Sequence, residues 1–317
     1  MLPASALMLV VAAGGVVGCT HEAPPNPAAE DGKKTPAVDF TDVTNRVGLD
    51  AFNHETGAFG KKWLPETMGP GVGFVDYNSD GWLDVVFVGG GVWPETDRIA
   101  PPALALYRNE GDGTFTNATE EAGLSDTHAY GMGIVASDYD NDGDQDIYLT
   151  TLHRNRLFRN DDGVFREIGN EAGVAGSDTW STTAVFFDAD RDGHLDLYVG
   201  NYIKWSPDND LFCSLDGETK AYCTPEEYEG ATAHFYHNDG DGSFSDWTER
   251  ASFLPAPGKT LGATTLDYNS DGWPDLIVAN DQERNLLYEN QGDGTFEERG
   301  TISAIAFNEE GRALEWA

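Results

Sequence analysis

Positive charge is scarce in this chain. Its 317 residues hold 19 Lys+Arg against 55 Asp+Glu, a formal net charge of −36. Neutralising nucleic-acid phosphates takes a basic face, so nucleic acid is excluded as a partner. Long apolar runs are missing after the N-terminus, which excludes a bundle of membrane spans of about 20 apolar residues each. The chain also lacks HExxH, GxSxG and P-loop motifs, and its seven His are scattered. The remaining composition is that of a globular domain, with 39% hydrophobic residues and 37 Gly. Gly and the 15 Pro are poor in helix interiors, which favours short strands and many turns.

The one apolar stretch of note is residues 6–17, twelve residues long. That is the length of a secretory h-region and too short to span a bilayer. The following VVG-Cys19 resembles a bacterial lipobox, whose Cys is lipidated and becomes the mature N-terminus. Residues 1–18 are read as a lipoprotein signal peptide and Cys19 as the lipidation site. The competing reading is a plain signal peptide with an incidental Cys, leaving the protein in the periplasm. No Lys or Arg precedes the apolar run, a departure from the lipobox pattern. Thr20, in place of the Asp linked to inner-membrane retention, implies by the same resemblance an outer-membrane or cell-surface anchor. Membrane contact is expected through that anchor alone. Residues 19–37, rich in Pro, Ala and charge, cannot bury a core and form a flexible tether.

Residues 38–317 repeat themselves. Four acidic segments align: DYNSDGWLD (76–84), DYDNDGDQD (138–146), DADRDGHLD (188–196) and DYNSDGWPD (267–275). Each leads into a short run of β-branched and aromatic residues that reads as a strand. A second motif alternates with the first: LYRNEGDGTF (106–115), LFRNDDGVF (157–165), FYHNDGDGSF (235–244) and LYENQGDGTF (287–296). Apolar runs flanking an Asn/Gly/Asp turn make a β-hairpin signature. Phe115 to Leu124, Phe165 to Val174, Phe244 to Phe253 and Phe296 to Ile305 are all nine apart, and each next acidic segment opens 14 residues later. The fold class is therefore all-β, a β-propeller of four-stranded blades. A string of separate calcium modules fits poorly, because the apolar strands need neighbouring sheets to bury them. The same spacing places a fifth acidic loop two residues beyond Ala317. Residues 40–49 match a hairpin's last strand and its exit. The expectation is four full repeats plus one orphan outer strand, a C-terminally incomplete part of a larger ring, with exposed sheet edges that promote aggregation.

Carboxylates at loop positions 1, 3 and 5 with Gly at 6 repeat the first half of an EF-hand loop. Alternate side chains aim oxygens at one centre, Gly permits the sharp turn, and the carbonyl of position 7 adds a ligand. The expected side-chain ligands are Asp76, Asn78, Asp80 and Asp84; Asp138, Asp140, Asp142 and Asp146; Asp188, Asp190, Asp192 and Asp196; and Asp267, Asn269, Asp271 and Asp275. Trp82, Asp144, His194 and Trp273 would supply carbonyls. No Glu stands at position 12 and no helices flank the loops, so they are not EF-hands. About four Ca²⁺ are expected, Mg²⁺ being the weaker candidate because it keeps an octahedral shell of waters. The competing reading is metal-free Asx turns. Four divalent ions still leave the chain strongly acidic. A solvated, soluble surface accounts for the remainder, and a partner with a basic face is the sharper alternative. The hairpin residues Asp112, Asp241 and Asp293 read as turn formers, and Trp82 and Trp273 as packing beside their loops.

Successive acidic loops start 62, 50 and 79 residues apart, so the third interval holds an insertion at about 205–233. It contains Cys213 and Cys223, an even pair once Cys19 is lipidated, and in an oxidising compartment these bridge each other. His234 and His237, at the start of a strand, read as packing or surface residues. No catalytic constellation is found.

The four DxDxDGxxD-type loops, the LYRN-x-GDGTF hairpins and the YxxGMG lead-in at 130–133 together resemble FG-GAP/VCBS repeat proteins. The Cys insertion followed by the FYHN hairpin is similar to bacterial relatives of the cartilage acidic protein (ASPIC/UnbV) family. The resemblance implies a calcium-binding propeller like the integrin α-subunit head. The family's further blades and C-terminal domain have no counterpart here. The expected role is a non-catalytic, extracytoplasmic scaffold for a protein or glycan partner. Alternatives are a lectin-like propeller and the non-catalytic portion of a secreted enzyme.

Overall fold

The computed structural model describes residues 39–56, 60–91, 102–253 and 258–307. The signal peptide, Cys19 and the tether lie outside them. The chain divides into units Met1–Asp42 and Val43–Ala317, and apart from residues 39–42 everything below concerns the second. No helix among the described residues is long and apolar enough to cross a membrane.

Among the described residues the second unit holds four antiparallel sheets of four strands, each in chain order. Blade 1 is β1 (Val72–Val75), β2 (Asp84–Val88), β3 (Leu104–Asn109) and β4 (Phe115–Asn117). Blade 2 is β5 (Gly131–Ser137), β6 (Asp146–Thr151), β7 (Arg156–Asp161) and β8 (Val164–Glu167). Blade 3 is β9 (Ser181–Phe187), β10 (Asp196–Asn201), β11 (His234–Asn238) and β12 (Phe244–Asp246). Blade 4 is β13 (Thr260–Leu266), β14 (Asp275–Asn280), β15 (Leu286–Asn290) and β16 (Phe296–Glu298). Each acidic segment is the loop between the first and second strands of its blade, and each GDG segment is the turn between the third and fourth.

The second strands of blades 2 and 3 are sandwiched between neighbouring blades, which explains their apolar character. Every residue of β6 and β10 is buried. One face of each blade packs on the opposite face of the next. Val86, Val88, Leu104 and Leu106 meet Ile147, Leu149, Phe158 and Phe165 between blades 1 and 2. Tyr148 and Leu157 meet Leu197, Val199 and Tyr236 between blades 2 and 3. Tyr198 and Phe235 meet Leu276, Val278 and Tyr288 between blades 3 and 4. First strands run beside one another: the Gly71 N–H donates to Met132 O (2.6 Å), and Thr182 Oγ1 donates to Thr260 O (2.6 Å). A side chain at Gly133 would put its Cβ 2.3 Å from Thr182 O, so the approach of β5 to β9 requires glycine there.

A polar tie accompanies each apolar interface. The hairpin Asn of one blade donates through Nδ2 to the carbonyl at loop position 2 of the blade before it: Asn160 to Tyr77 (2.8 Å), Asn238 to Tyr139 (2.9 Å) and Asn290 to Ala189 (2.7 Å). All three Asn are buried. Asn109, in blade 1, donates to Leu83 O of its own blade. Asn160→Ala orphans two carbonyls and a turn N–H. It is expected to lower stability by about 3 kcal/mol in urea denaturation, clearly more than Asn109→Ala. Equal losses would show that the inter-blade bonds add nothing.

One expectation is corrected. Residues 39–43 form no strand, because a lone outer strand has no sheet with which to exchange hydrogen bonds. The exit that follows does form as a single helical turn, Thr44–Val47, ended by Gly48 in the left-handed region (φ 85°). Segment 202–233, between β10 and β11, carries the Cys213–Cys223 disulfide. It adds Tyr202, Ile203, Trp205, Cys223 and Tyr228 to a second core with Trp63, Tyr130 and Trp180. That core lies at the strand ends away from the acidic loops.

Candidate metal centres

The acidic loops share one hydrogen-bond pattern. The Asp at position 1 accepts the N–H of position 5 on one oxygen and that of Gly at position 6 on the other. In loop 1 these are Asp80 and Gly81 N–H to Asp76, at 3.0 and 2.9 Å. Asp138, Asp188 and Asp267 repeat the arrangement. The Asp at position 5 accepts the N–H of position 7 in all four loops. Position 4 (Ser79, Asn141, Arg191, Ser270) and the Gly at position 6 both have positive φ. In loop 3 that winding brings the carboxylates of positions 1, 3 and 5 together.

Position 9 is more than a ligand. Asp84, Asp146, Asp196 and Asp275 are fully or almost fully buried. One oxygen of each accepts the N–H of loop position 2, and the other accepts the N–H of the hairpin Asn. For Asp146 these come from Tyr139 (3.1 Å) and Asn160 (2.8 Å); the other three loops match. The carboxylate is a strut between loop and hairpin, and each oxygen keeps a lone pair for a cation.

Oxygens of Asp138, Asp140 and Asp146 in loop 2 lie within 4.8 Å of one another, as do those of Asp188, Asp190 and Asp192 in loop 3. Loops 1 and 4 have Asn78 and Asn269 at position 3, each donating to the Asp at position 5. These two loops therefore carry three carboxylates where loops 2 and 3 carry four. Position 7 turns its side chain away and leaves the carbonyl. Trp82 and Trp273 lie over Gly111 and Gly292, where an added Cβ would come within 2.9 and 2.7 Å of the indole. His194 covers Gly240 in the same way. Asp144 Oδ2 accepts the Asp162 N–H. Asp112, Asp241 and Asp293 each accept the N–H and hydroxyl of the Thr or Ser two residues on. Those bonds hold their carboxyls below the usual range, and they are turn formers.

Electrostatics tests whether the residues fit a cation. Burial pushes the Asp146 carboxyl up to about 7, with Asp140 and Asp142 adding repulsion. Burial also raises Asp84, Asp140, Asp196 and Asp275. Asp140 Oδ1 is buried with no hydrogen-bond partner. Unsatisfied acceptors and mutually repelling carboxylates are what a hard divalent cation relieves, so the donor set fits one. Neighbouring loops also touch. Asn141 donates to Gly193 O (3.0 Å), Ser79 to Asp144 (3.2 Å), and Arg191 donates to Gly272 O while covering the Trp273 ring.

Sequence reasoning missed one residue. His237 Nδ1 lies 3.0 Å from Asp196 Oδ1 and 3.7 Å from Asp190 Oδ2. It belongs to the surroundings of loop 3 and is no mere packing residue. Its counterparts in the hairpin alignment are Arg108, Arg159 and Glu289, a difference that does not by itself place the ring beside Asp196.

A family profile described as FG-GAP-like repeat matches four times, at residues 76–149, 138–199, 208–278 and 267–317. The chain belongs to the FG-GAP-like repeat family. The first two matches run from one acidic loop through the next, the third ends just past loop 4 and the fourth opens on it. Human cartilage acidic protein 1 is 45% identical over 42 residues, 13% of this chain and 6% of that protein. Two solved structures align at low scores. One is an Agrocybe aegerita lectin described as recognising non-reducing terminal N-acetylglucosamine (TM-score 0.37, 18% identity, 71% of this chain and 49% of that one). The other is the V. cholerae biofilm matrix protein Bap1 (TM-score 0.34, 13% identity, 76% and 42%). The chain spans half or less of the length of each of these three proteins.

Proposed function

We propose that this FG-GAP repeat chain is an extracytoplasmic, calcium-stabilised binding scaffold without catalytic activity, anchored through a lipid at Cys19. The observation that carries the reading is the convergence of Asp138, Asp140 and Asp146 on one point, with Asp140 Oδ1 left unpartnered. Bound Ca²⁺ would neutralise those carboxylates. Positions 1, 3, 5 and 9 with the position 7 carbonyl would hold it, which suits an ion that takes six to eight oxygens. The Cys213–Cys223 disulfide supports an oxidising compartment. Blade packing uses the repeat's apolar residues for core, and the loops leave a rim of ordered carboxylates for a protein or glycan partner.

The test is calorimetric titration of the chelator-stripped protein with calcium and, separately, with magnesium. About four calcium sites are expected, with magnesium displaced by calcium. Absence of calcium heat at millimolar concentration would reject the reading and leave the loops as Asx turns.

A further inference from the structure

Loop 3 differs from the other loops in one donor. The residue before the hairpin Asn is Arg108 in blade 1, Arg159 in blade 2, Glu289 in blade 4 and His237 in blade 3. Arg108 pairs with Glu110 and Glu121, and Arg159 with Asp161; a guanidinium has no lone pair to give. Glu289 is engaged by the Tyr268 hydroxyl and Arg299. His237 alone of the four turns a ligating atom toward its loop. Its Nδ1 and the nearest oxygens of Asp190 and Asp196 all lie within 4.8 Å of one another. The ring is held in place by stacking on Trp247 at 3.7 Å and 17°. Arg250 covers that same indole at 3.4 Å.

Nδ1 is within hydrogen-bond distance of Asp196 Oδ1 (3.0 Å), an oxygen with a lone pair left to accept it. Asp196 already has a backbone donor on each oxygen, Asn238 N–H on one and Ala189 N–H on the other. Nδ1 also faces Asp190, which is shared with the Asp188 and Asp192 cluster. One nitrogen thus sits between carboxylates from positions 3 and 9. Metal bonds of about 2.0–2.1 Å put neighbouring donors roughly 3 Å apart, the separation of His237 Nδ1 and Asp196 Oδ1. Calcium takes oxygen ligands; imidazole with carboxylate suits zinc.

We propose that loop 3 is a mixed imidazole and carboxylate site, in which His237, Asp190 and Asp196 bind a zinc-class divalent ion in preference to Ca²⁺. Binding at Nδ1 places the ring proton on Nε2. The proposal rests on the reading of these loops as cation sites, and it assigns one of them a different ion.

The test uses the full chain, chelator-stripped, with ¹⁵N-labelled His. Zinc is titrated in millimolar calcium and followed by calorimetry and by the ring-nitrogen resonances. One zinc per chain is expected in the presence of calcium, with one Nδ1 resonance moving to the metal-bound position. His237→Gln should abolish that resonance and weaken zinc at least about tenfold, the lower end of what losing a mere outer-shell partner costs. The resonance shift is read on the unaltered protein, so the test survives a variant that fails to fold. Calcium binding at all four loops with no zinc uptake overturns this proposal and leaves the calcium reading standing. Zinc uptake without calcium binding does the reverse. Uptake of neither ion overturns both.

Discussion

Chelating divalent ions with EDTA is expected to lower the melting temperature of the calcium-loaded protein by roughly 20 °C. Each ion at about 100 times its Kd contributes roughly 2.7 kcal/mol, so four contribute on the order of 10 kcal/mol. A domain of this size shifts by roughly 2 °C for each kcal/mol. The loss would be large because each proposed ion would tie the loop to the strand that follows it. Asp138 and Asp140 belong to the loop, whereas Asp146 is the first residue of β6 and bonds to the hairpin at Asn160. Releasing the ion restores the repulsion among these carboxylates. Loop 2, with four carboxylates, should hold calcium longer than loops 1 and 4, where Asn78 and Asn269 replace a charge. A stepwise chelator titration is therefore expected to show two classes of site. Melting curves that coincide in EDTA and in calcium would remove the structural role assigned to the ion.

The parts of this fold that were legible in sequence are those encoded by neighbouring residues. Asp at position 1 and Gly at position 6 bond through atoms five residues apart, so the loop can be read from a nine-residue window. The hairpins are equally local, since Asp112 and Thr114 close their turn within two residues. What was not legible depends on partners brought together by packing. Asp146 reads as a ligand, and nothing nearby shows that its second oxygen receives the N–H of Asn160, fourteen residues on. Asn160 reads as a turn residue, yet its amide reaches Tyr77, 83 residues away. Trp63 and Trp205 meet edge to face at 5.9 Å across more than a hundred residues. His237 reads as an ordinary strand residue because the register of β11 against β10, with Tyr236 opposite Leu197, is a tertiary fact. The orphan strand at residues 40–43 failed for the converse reason, because a local pattern alone does not supply a partner strand.

Asp146→Ala is expected to cost about 4 kcal/mol even in EDTA, where no cation can be lost. The substitution removes the acceptor for two N–H groups, those of Tyr139 and Asn160, in a buried site. Each orphaned donor costs about 1–3 kcal/mol. Asp142→Ala, at the exposed position 5, removes a ligand but no buried strut, and its cost in EDTA should stay near about 0.5 kcal/mol. In calcium both variants should bind less. The pH dependence separates the strut from the ligand a second time. With its carboxyl raised to about 7 by burial, against about 3.9 unfolded, folded Asp146 binds its proton more tightly than the unfolded chain does. Its contribution is complete below about pH 4 and is lost as pH rises through about 7, at up to roughly 1.4 kcal/mol for each pH unit. Cation-free protein should thus melt higher at pH 5 than at pH 7.5. Calcium, which requires the charged carboxylate, should reverse that order. Asp146→Asn keeps one acceptor and cannot titrate, so it should flatten the slope in EDTA. Equal costs for the Asp142 and Asp146 variants in EDTA, with no change of slope, would show that position 9 acts only through the metal.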